Sequence, residues 1–95
     1  MPFVYIVRCA DDTLYTGWTV NVAARLKTHN AGRGAWYTRT RRPVTLVYSE
    51  ELATRAEAMK RELEIKRWPR AKKLELLERR RRVRMKKKMK PGRRS

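Results

Sequence analysis

The sequence predicts an α+β domain. The expected architecture is a three-stranded, mostly antiparallel sheet with flanking helices, in the order ββαβαα. Three observations carry this. Short β-branched and aromatic runs occupy residues 3–9, 13–17 and 44–48, the signature of strands. Helix-capping signals stand between and after them, at Asn21 and Thr54. The chain has 95 residues, 41% hydrophobic and 37% charged, which allows one small core and excludes a large cofactor-binding fold.

The first strand is Phe3-Val4-Tyr5-Ile6-Val7-Arg8-Cys9. Asp11-Asp12 signals a turn, and Thr13-Leu14-Tyr15-Thr16-Gly17 closes a hairpin. Two loops fit that turn. A two-residue turn pairs Ala10 with Thr13 and sets Tyr5 and Tyr15 on opposite faces. A three-residue loop, Ala10-Asp11-Asp12, pairs Cys9 with Thr13 and makes the tyrosines diagonal neighbours on one face. Asn21 caps a helix over residues 22–29, which Asn30 and Gly32 end. Residues 33–42 have four arginines, a glycine and no apolar period, and read as a loop. Pro43 opens the third strand. Thr54-Arg55-Ala56-Glu57 fits the S/T-x-x-E capping box, so a second helix runs from 54 to about 68. Pro69 stops it and suits the first turn of a third helix over residues 70–82, with Leu74, Leu77 and Ala71 as its apolar stripe.

The charge is uneven. Lys plus Arg number 26 against 9 Asp plus Glu, a net +17. Residues 1–78 hold 15 of the cations and every acid, and residues 79–95 hold 11 cations and no acid. The expected domain is residues 1–82. The basic tail over residues 83–95 cannot bury a core and is expected to be disordered. So strong an excess implies a polyanionic partner, nucleic acid being the commonest. No apolar run reaches the roughly 20 residues of a membrane span, so no membrane partner is expected. A basic n-region followed by an apolar h-region is missing at the N-terminus, and the single cysteine, Cys9, supports neither a disulfide framework nor a multi-cysteine metal site. The expected setting is cytoplasmic, with association to the nucleoid in view.

Several residues have two readings. Tyr5 and Tyr15 are strand aromatics that either pack a core or face a site. Gly17 either ends its strand or admits a ligand to the backbone. Arg25 and His29 share one helix face at i and i+4. That face is either solvated or a phosphate clamp beside a proton-transfer group. Glu62 has Ala58, Met59 and Ile65 on its face, so an acid sits among apolar neighbours and needs a cation, a metal or a solvent cleft. A salt bridge to Lys66 or Arg25 is the plainer account. Arg33, Arg39, Arg41 and Arg42, interleaved with Trp36 and Tyr37, suit a clamp on a nucleic-acid backbone with base stacking, or a solvated loop.

Taken together, these residues resemble the GIY-YIG nuclease superfamily. Its hallmarks stand here as Val4-Tyr5-Ile6 and Tyr15-Thr16-Gly17, followed by Arg25 on the next helix and Glu62 in Glu57-Ala58-Met59-Lys60-Arg61-Glu62. The likeness is closest to the small stand-alone bacterial branch, which Tyr15-Thr16-Gly17-Trp18-Thr19, His29-Asn30-Ala31-Gly32, Tyr37-Thr38-Arg39 and Arg41-Arg42-Pro43-Val44 all resemble. It covers about residues 2–78. Trp18 stands where many superfamily members carry Lys, and residues 69–77 contain no Asn. The resemblance implies metal-dependent endonucleolytic hydrolysis of DNA, directed by structure rather than sequence. It implies a Mg or Mn ion on Glu62, Arg25 on the scissile phosphate, and Tyr5, Tyr15, Gly17 and His29 as the other site residues. It implies that one of the tyrosines, Tyr5 first, takes the proton from water, with His29 as relay or alternative acceptor and Tyr15 positioning water or phosphate. A tyrosine of pKa about 10 is a poor base at neutral pH unless shifted. The partner is nucleic acid, DNA in preference to RNA, met by a monomer or weak dimer. The alternatives are a catalytically weak basic nucleic-acid-binding module and an RNA- or ribosome-associated protein.

Overall fold

The computed structural model describes residues 1–89. Its elements are β1 (Phe3–Arg8), β2 (Leu14–Thr19), α1 (Val22–Asn30), α2 (Trp36–Arg39), β3 (Thr45–Glu51), α3 (Arg55–Lys66) and α4 (Arg70–Met89). The sheet order is β2-β1-β3, antiparallel at both seams. This is the α+β architecture the sequence predicts, with one short helix added.

The central place of β1 explains its unbroken apolar run. Strand residues alternate between faces, and here both faces are covered. Val4 and Ile6 pack with Ala58 and Ile65 of α3, and with Leu76 and Leu77 of α4. Tyr5 and Val7 pack with Leu26 of α1, Tyr37 of α2, and Val44 and Leu46. The second face carries the candidate site, beneath α1 and α2.

The hairpin adopts the three-residue loop. Tyr5 pairs with Gly17 and Val7 with Tyr15. The Cys9 amide donates to the Thr13 carbonyl at 2.8 Å, and the Asp12 amide donates to the Cys9 carbonyl at 2.9 Å. Asp12 has φ +69°. Aspartate tolerates that left-handed conformation because its short polar side chain adds little steric conflict. The loop therefore puts Tyr5 and Tyr15 on one face.

Both helix-start signals operate. Asn21 Oδ1 accepts from the Ala24 amide at 3.0 Å. Thr54 Oγ1 accepts from the Glu57 amide at 3.1 Å, and the Glu57 carboxylate reaches back to the Ala53 amide at 3.1 Å. That return bond falls one residue before the cap rather than on it.

Three details differ from expectation. Residues 33–42 contain α2, four residues long, whose Thr38 and Arg39 amides both donate to the Ala35 carbonyl. A single turn shows no periodicity in sequence and depends on tertiary packing. The face of α4 in contact with the sheet carries Leu76 and Leu77, while Leu74 stays 37% exposed and Ala71 is exposed. Finally, α4 is continuous to Met89, past the expected end at Arg82. Arginine, lysine and methionine are good helix formers, and neither glycine nor proline occurs between Arg70 and Lys90. The disorder expected over residues 83–95 thus meets helical backbone as far as Met89, and residues 90–95 lie outside the described residues.

The cap at Thr54 gives a direct check on this account of α3. Thr54→Ala should lower the unfolding free energy by about 1 kcal/mol. The thermal midpoint, followed by circular dichroism, should then fall by roughly 4–8 °C.

Candidate active site

The site is built around a buried imidazole. His29, in the last turn of α1, is 1% exposed. Its Nε2 lies 2.8 Å from the Tyr5 hydroxyl, and its Nδ1 lies 2.8 Å from Thr38 Oγ1. The ring meets Tyr5 and Tyr15 edge-on, at centroid distances of 5.8 and 5.5 Å. Tyr37 stacks behind Tyr15 at 5.8 Å. The two tyrosines therefore form one aromatic face with His29 set against both.

Gly17 makes room for this. A Cβ there would stand 2.6 Å from the Tyr5 hydroxyl and 2.8 Å from its Cζ. Gly17 does not end its strand, because β2 runs on to Thr19, and the group that approaches its backbone is the protein's own Tyr5 and not a ligand. Gly34 makes the same room for His29, since a Cβ there would run into Nδ1 and come within 2.9 Å of Cε1.

The electrostatics keep the centre neutral. Burial, reinforced by the neighbouring Tyr15, pushes the Tyr5 hydroxyl up to about 12, and Arg25 offsets this only in part. Burial, assisted by the positive charge of Arg25, holds His29 below its ordinary value. At neutral pH the pair is a protonated phenol beside a neutral imidazole.

The charges lie at the rim. Arg25 is exposed and borders a shallow depression with Trp18, Thr19, Val20 and Arg55. Glu62, on α3, has a side chain 18% exposed and pairs with Lys66 at 3.4 Å. Lys66 Nζ in turn stands 5.5 Å from the Tyr15 ring, and the Glu62 charge acts on Tyr5. Thus Tyr15, Gly17, Arg25, His29 and Glu62 all lie close enough to touch or act on Tyr5. Among the described residues, no group of three His, Cys, Asp or Glu side chains could hold a metal. Glu62 is the one acid among these six residues.

The basic loop divides. Arg41 bonds to the Asp11 carboxylate at 3.0 Å and the Tyr37 carbonyl at 2.8 Å, and its guanidinium covers the Tyr37 ring at 4.1 Å. Arg42 donates to the Arg39 and Asn30 carbonyls at 2.9 and 3.3 Å. These two hold the loop together. Trp36 is 76% exposed with Arg39 5.7 Å from its ring, and Arg33 is exposed, so these three face outward.

The resemblance includes Tyr37-Thr38-Arg39 but gives Thr38 no role in the site, and the sequence gives Gly34 none beyond the loop. Thr38 is fully buried and reaches His29 from nine residues away across an irregular segment. Such a pairing has no period to read. The only sequence trace of Gly34 is its place as a second glycine two residues after Gly32.

Two outcomes follow from the packing and the buried pair. Gly17→Ala should cost about 1–3 kcal/mol in chemical denaturation, because the new methyl displaces the Tyr5 ring. Stability should also depend on pH in two windows. An unfolded histidine binds protons near 6.5 while the native His29 resists them. Stability is therefore full above 6.5 and falls as pH drops below it, a limb that His29→Gln should flatten. The Tyr5 hydroxyl shifts the other way, so stability is full below 10.0 and is lost as pH rises from there towards about 12.

Similarity to known proteins establishes the family. A family model described as the GIY-YIG catalytic domain matches residues 1–75. A UPF0213 protein of Staphylococcus haemolyticus is 59% identical over 78 residues, which is 82% of this chain and 95% of that protein. A UPF0213 protein of Staphylococcus aureus is 56% identical over 78 residues, with the same shares of 82% and 95%. Among solved structures, the solution NMR structure of a UPF0213 protein from Bacillus halodurans has a TM-score of 0.54 and 43% identity, covering 82% of this chain and 84% of that one. The solution NMR structure of the protein EF2693 from E. faecalis gives 0.56 and 40%, over 80% and 81%. On these matches, the chain belongs to the GIY-YIG catalytic-domain family, a nuclease family, and to its small bacterial UPF0213 branch.

Proposed function

We propose that this chain is a metal-dependent endonuclease that hydrolyses phosphodiester bonds in DNA, recognising structure rather than base sequence. The observation that carries the reading is the 2.8 Å approach of the Tyr5 hydroxyl to a neutral, buried His29, beside one cation and one carboxylate. Phosphodiester hydrolysis needs a base for water, a cation for the phosphate and charge stabilisation at the leaving oxygen.

With its pKa near 12, Tyr5 does not rest as a phenolate. His29 solves this. As the Tyr5 oxygen takes a proton from water, the Tyr5 proton passes to His29 Nε2. No free phenolate forms, and the hydroxide is left to attack phosphorus as the bond to the leaving oxygen breaks. Arg25 holds the scissile phosphate by its planar fork of donors and faces the charge that develops there. Tyr15, edge-on to the same imidazole, borders the water site.

The residues fit a hard divalent cation such as Mg or Mn. Glu62 is a largely covered carboxylate that already attracts a cation, the Lys66 ammonium at 3.4 Å. An ion of that kind keeps water and substrate oxygens in its remaining positions, so one carboxylate suffices. When bound, it supplies positive charge at the leaving oxygen. Lys66, released from Glu62, becomes free to face phosphate.

Trp36, Arg39 and Arg33 present stacking and cationic surface to the nucleic acid, and the acid-free C-terminal segment adds affinity of no sequence preference. One site cuts one strand at a time, which suits a monomer acting on nicked, flapped or branched DNA. A second reading, a binding module with little cleavage, draws on Trp18 after the glycine and on the Glu62–Lys66 pair.

Cleavage of branched, flapped, nicked and linear DNA with Mg²⁺ or Mn²⁺ separates these. Glu62→Ala and Tyr5→Phe should each lower the rate roughly 10²- to 10⁴-fold. Equal nicking by the parent chain and both variants would contradict the proposal. Deleting residues 83–95 should weaken binding and flatten its salt dependence, by about 0.9 in log–log slope for each phosphate no longer neutralised. Metal-dependent cleavage at saturating protein should survive that deletion. Binding without cleavage would favour the second reading.

A further inference from the structure

We infer that Thr38 is a positioning residue of this site: its hydroxyl fixes the His29 imidazole in the Nδ1–H form and so leaves Nε2 as the acceptor of the Tyr5 proton. The inference depends on the proposed function only for its consequence in cleavage.

The hydrogen-bond directions follow from what each group can do. The Ala35 carbonyl only accepts, from the Thr38 and Arg39 amides and also from Thr38 Oγ1 at 3.0 Å. A hydroxyl has one proton. Once donated to Ala35, it leaves only lone pairs facing His29 Nδ1 at 2.8 Å. Nδ1 must then carry the ring's hydrogen, and a neutral imidazole has just one.

The other end of the ring fits the same arrangement. Among the described residues, His29 Nε2 is the only acceptor within hydrogen-bond distance of the Tyr5 hydroxyl. The other group close to that oxygen is the Arg25 guanidinium, which can only donate. With hydrogen on Nε2 instead, that 2.8 Å contact would run from His29 to Tyr5, and the Tyr5 proton would have to turn away from the ring to the side from which water reaches it. The bonds therefore run one way, from Tyr5 to His29 to Thr38 to Ala35.

The surroundings keep the His29–Thr38 end of this chain of bonds dry. Thr38 is 0% exposed and His29 1%. The Gly34 backbone lies against the Nδ1 edge so closely that no side chain fits there. Thr38 stands on α2, which the sequence shows only as loop, so the orientation of the imidazole is set from outside the two hallmark strands.

Histidine NMR reads this directly. His29 is the only histidine of the chain, so its ring nitrogens need no assignment. The full-length ¹⁵N-labelled protein, without metal or nucleic acid and at a pH where His29 is neutral, should show hydrogen on Nδ1 and none on Nε2. Thr38→Val keeps the branched shape and removes the hydroxyl, and should move the ring to the Nε2–H form or to exchange between forms. Thr38→Ser should restore Nδ1–H. An Nε2–H ring in the parent chain, or an unchanged Nδ1–H ring in Thr38→Val, would overturn the inference. If Thr38→Val does not fold, the parent and Thr38→Ser spectra decide: Nδ1–H in both supports it, Nε2–H in either overturns it. In cleavage, Thr38→Val should lower kcat roughly 10-fold or more with KM little changed, the usual scale for losing an outer orienting partner. A tautomer that depends on Thr38 in a protein that does not cut would sink the nuclease proposal and leave this inference standing.

Discussion

The hydrogen bond between Tyr5 and His29 is the constraint around which the rest is arranged. It joins the central strand β1 to α1 inside the protein, where an unpaired hydroxyl or ring nitrogen is costly. Several local features serve it. The left-handed Asp12 gives the three-residue loop that brings Tyr15 to the face of Tyr5. Gly17 clears space for the tyrosine and Gly34 for the histidine. The Thr38 hydroxyl engages the far side of the ring. A core pair with such support is more than packing, because apolar side chains would fill the space without any of these conditions.

The charge distribution complements that neutral centre. In a chain of net +17, the proposed reaction needs a place where a divalent cation could compete with so many lysines and arginines. Glu62 gives one carboxylate, mostly covered and already paired with Lys66. The acid is thus held ready by a cation that a stronger one can replace. Arg25 at the rim acts in two directions, drawing the Tyr5 hydroxyl down and holding His29 neutral. The first effect eases release of the phenol proton, and the second keeps the imidazole free to take it.

Much of this is legible in the sequence, for physical reasons. Strand runs, the Asn21 cap and the Thr54-x-x-Glu57 box are local signals, and they point to the three strands and the helices α1, α3 and α4. The loop parity of the hairpin is open between two forms, and Asp12 decides it through its tolerance of positive φ. Arg25 and His29 at i and i+4, and Glu62 on an apolar face, follow from helix geometry. What stays hidden depends on tertiary packing. The single turn α2 has no period, and the His29–Thr38 hydrogen bond crosses an irregular segment. The arginines of residues 33–42 look alike in sequence, yet Arg41 and Arg42 tie the loop while Arg33 and Arg39 face outward. On α4, Leu74 and Leu76 are equally apolar, and only the docking angle chooses Leu76.

The central claim is that neutral His29, and not a Tyr5 phenolate, ultimately receives the proton from water. The single-turnover rate of DNA cleavage as a function of pH tests it most directly. The account predicts a rate that falls on the acid side as His29 becomes protonated and levels off above, well short of the Tyr5 value near 12. A rate that keeps rising about tenfold per pH unit through the alkaline range, unaltered by His29→Gln, would mean that free phenolate is the base and would contradict it.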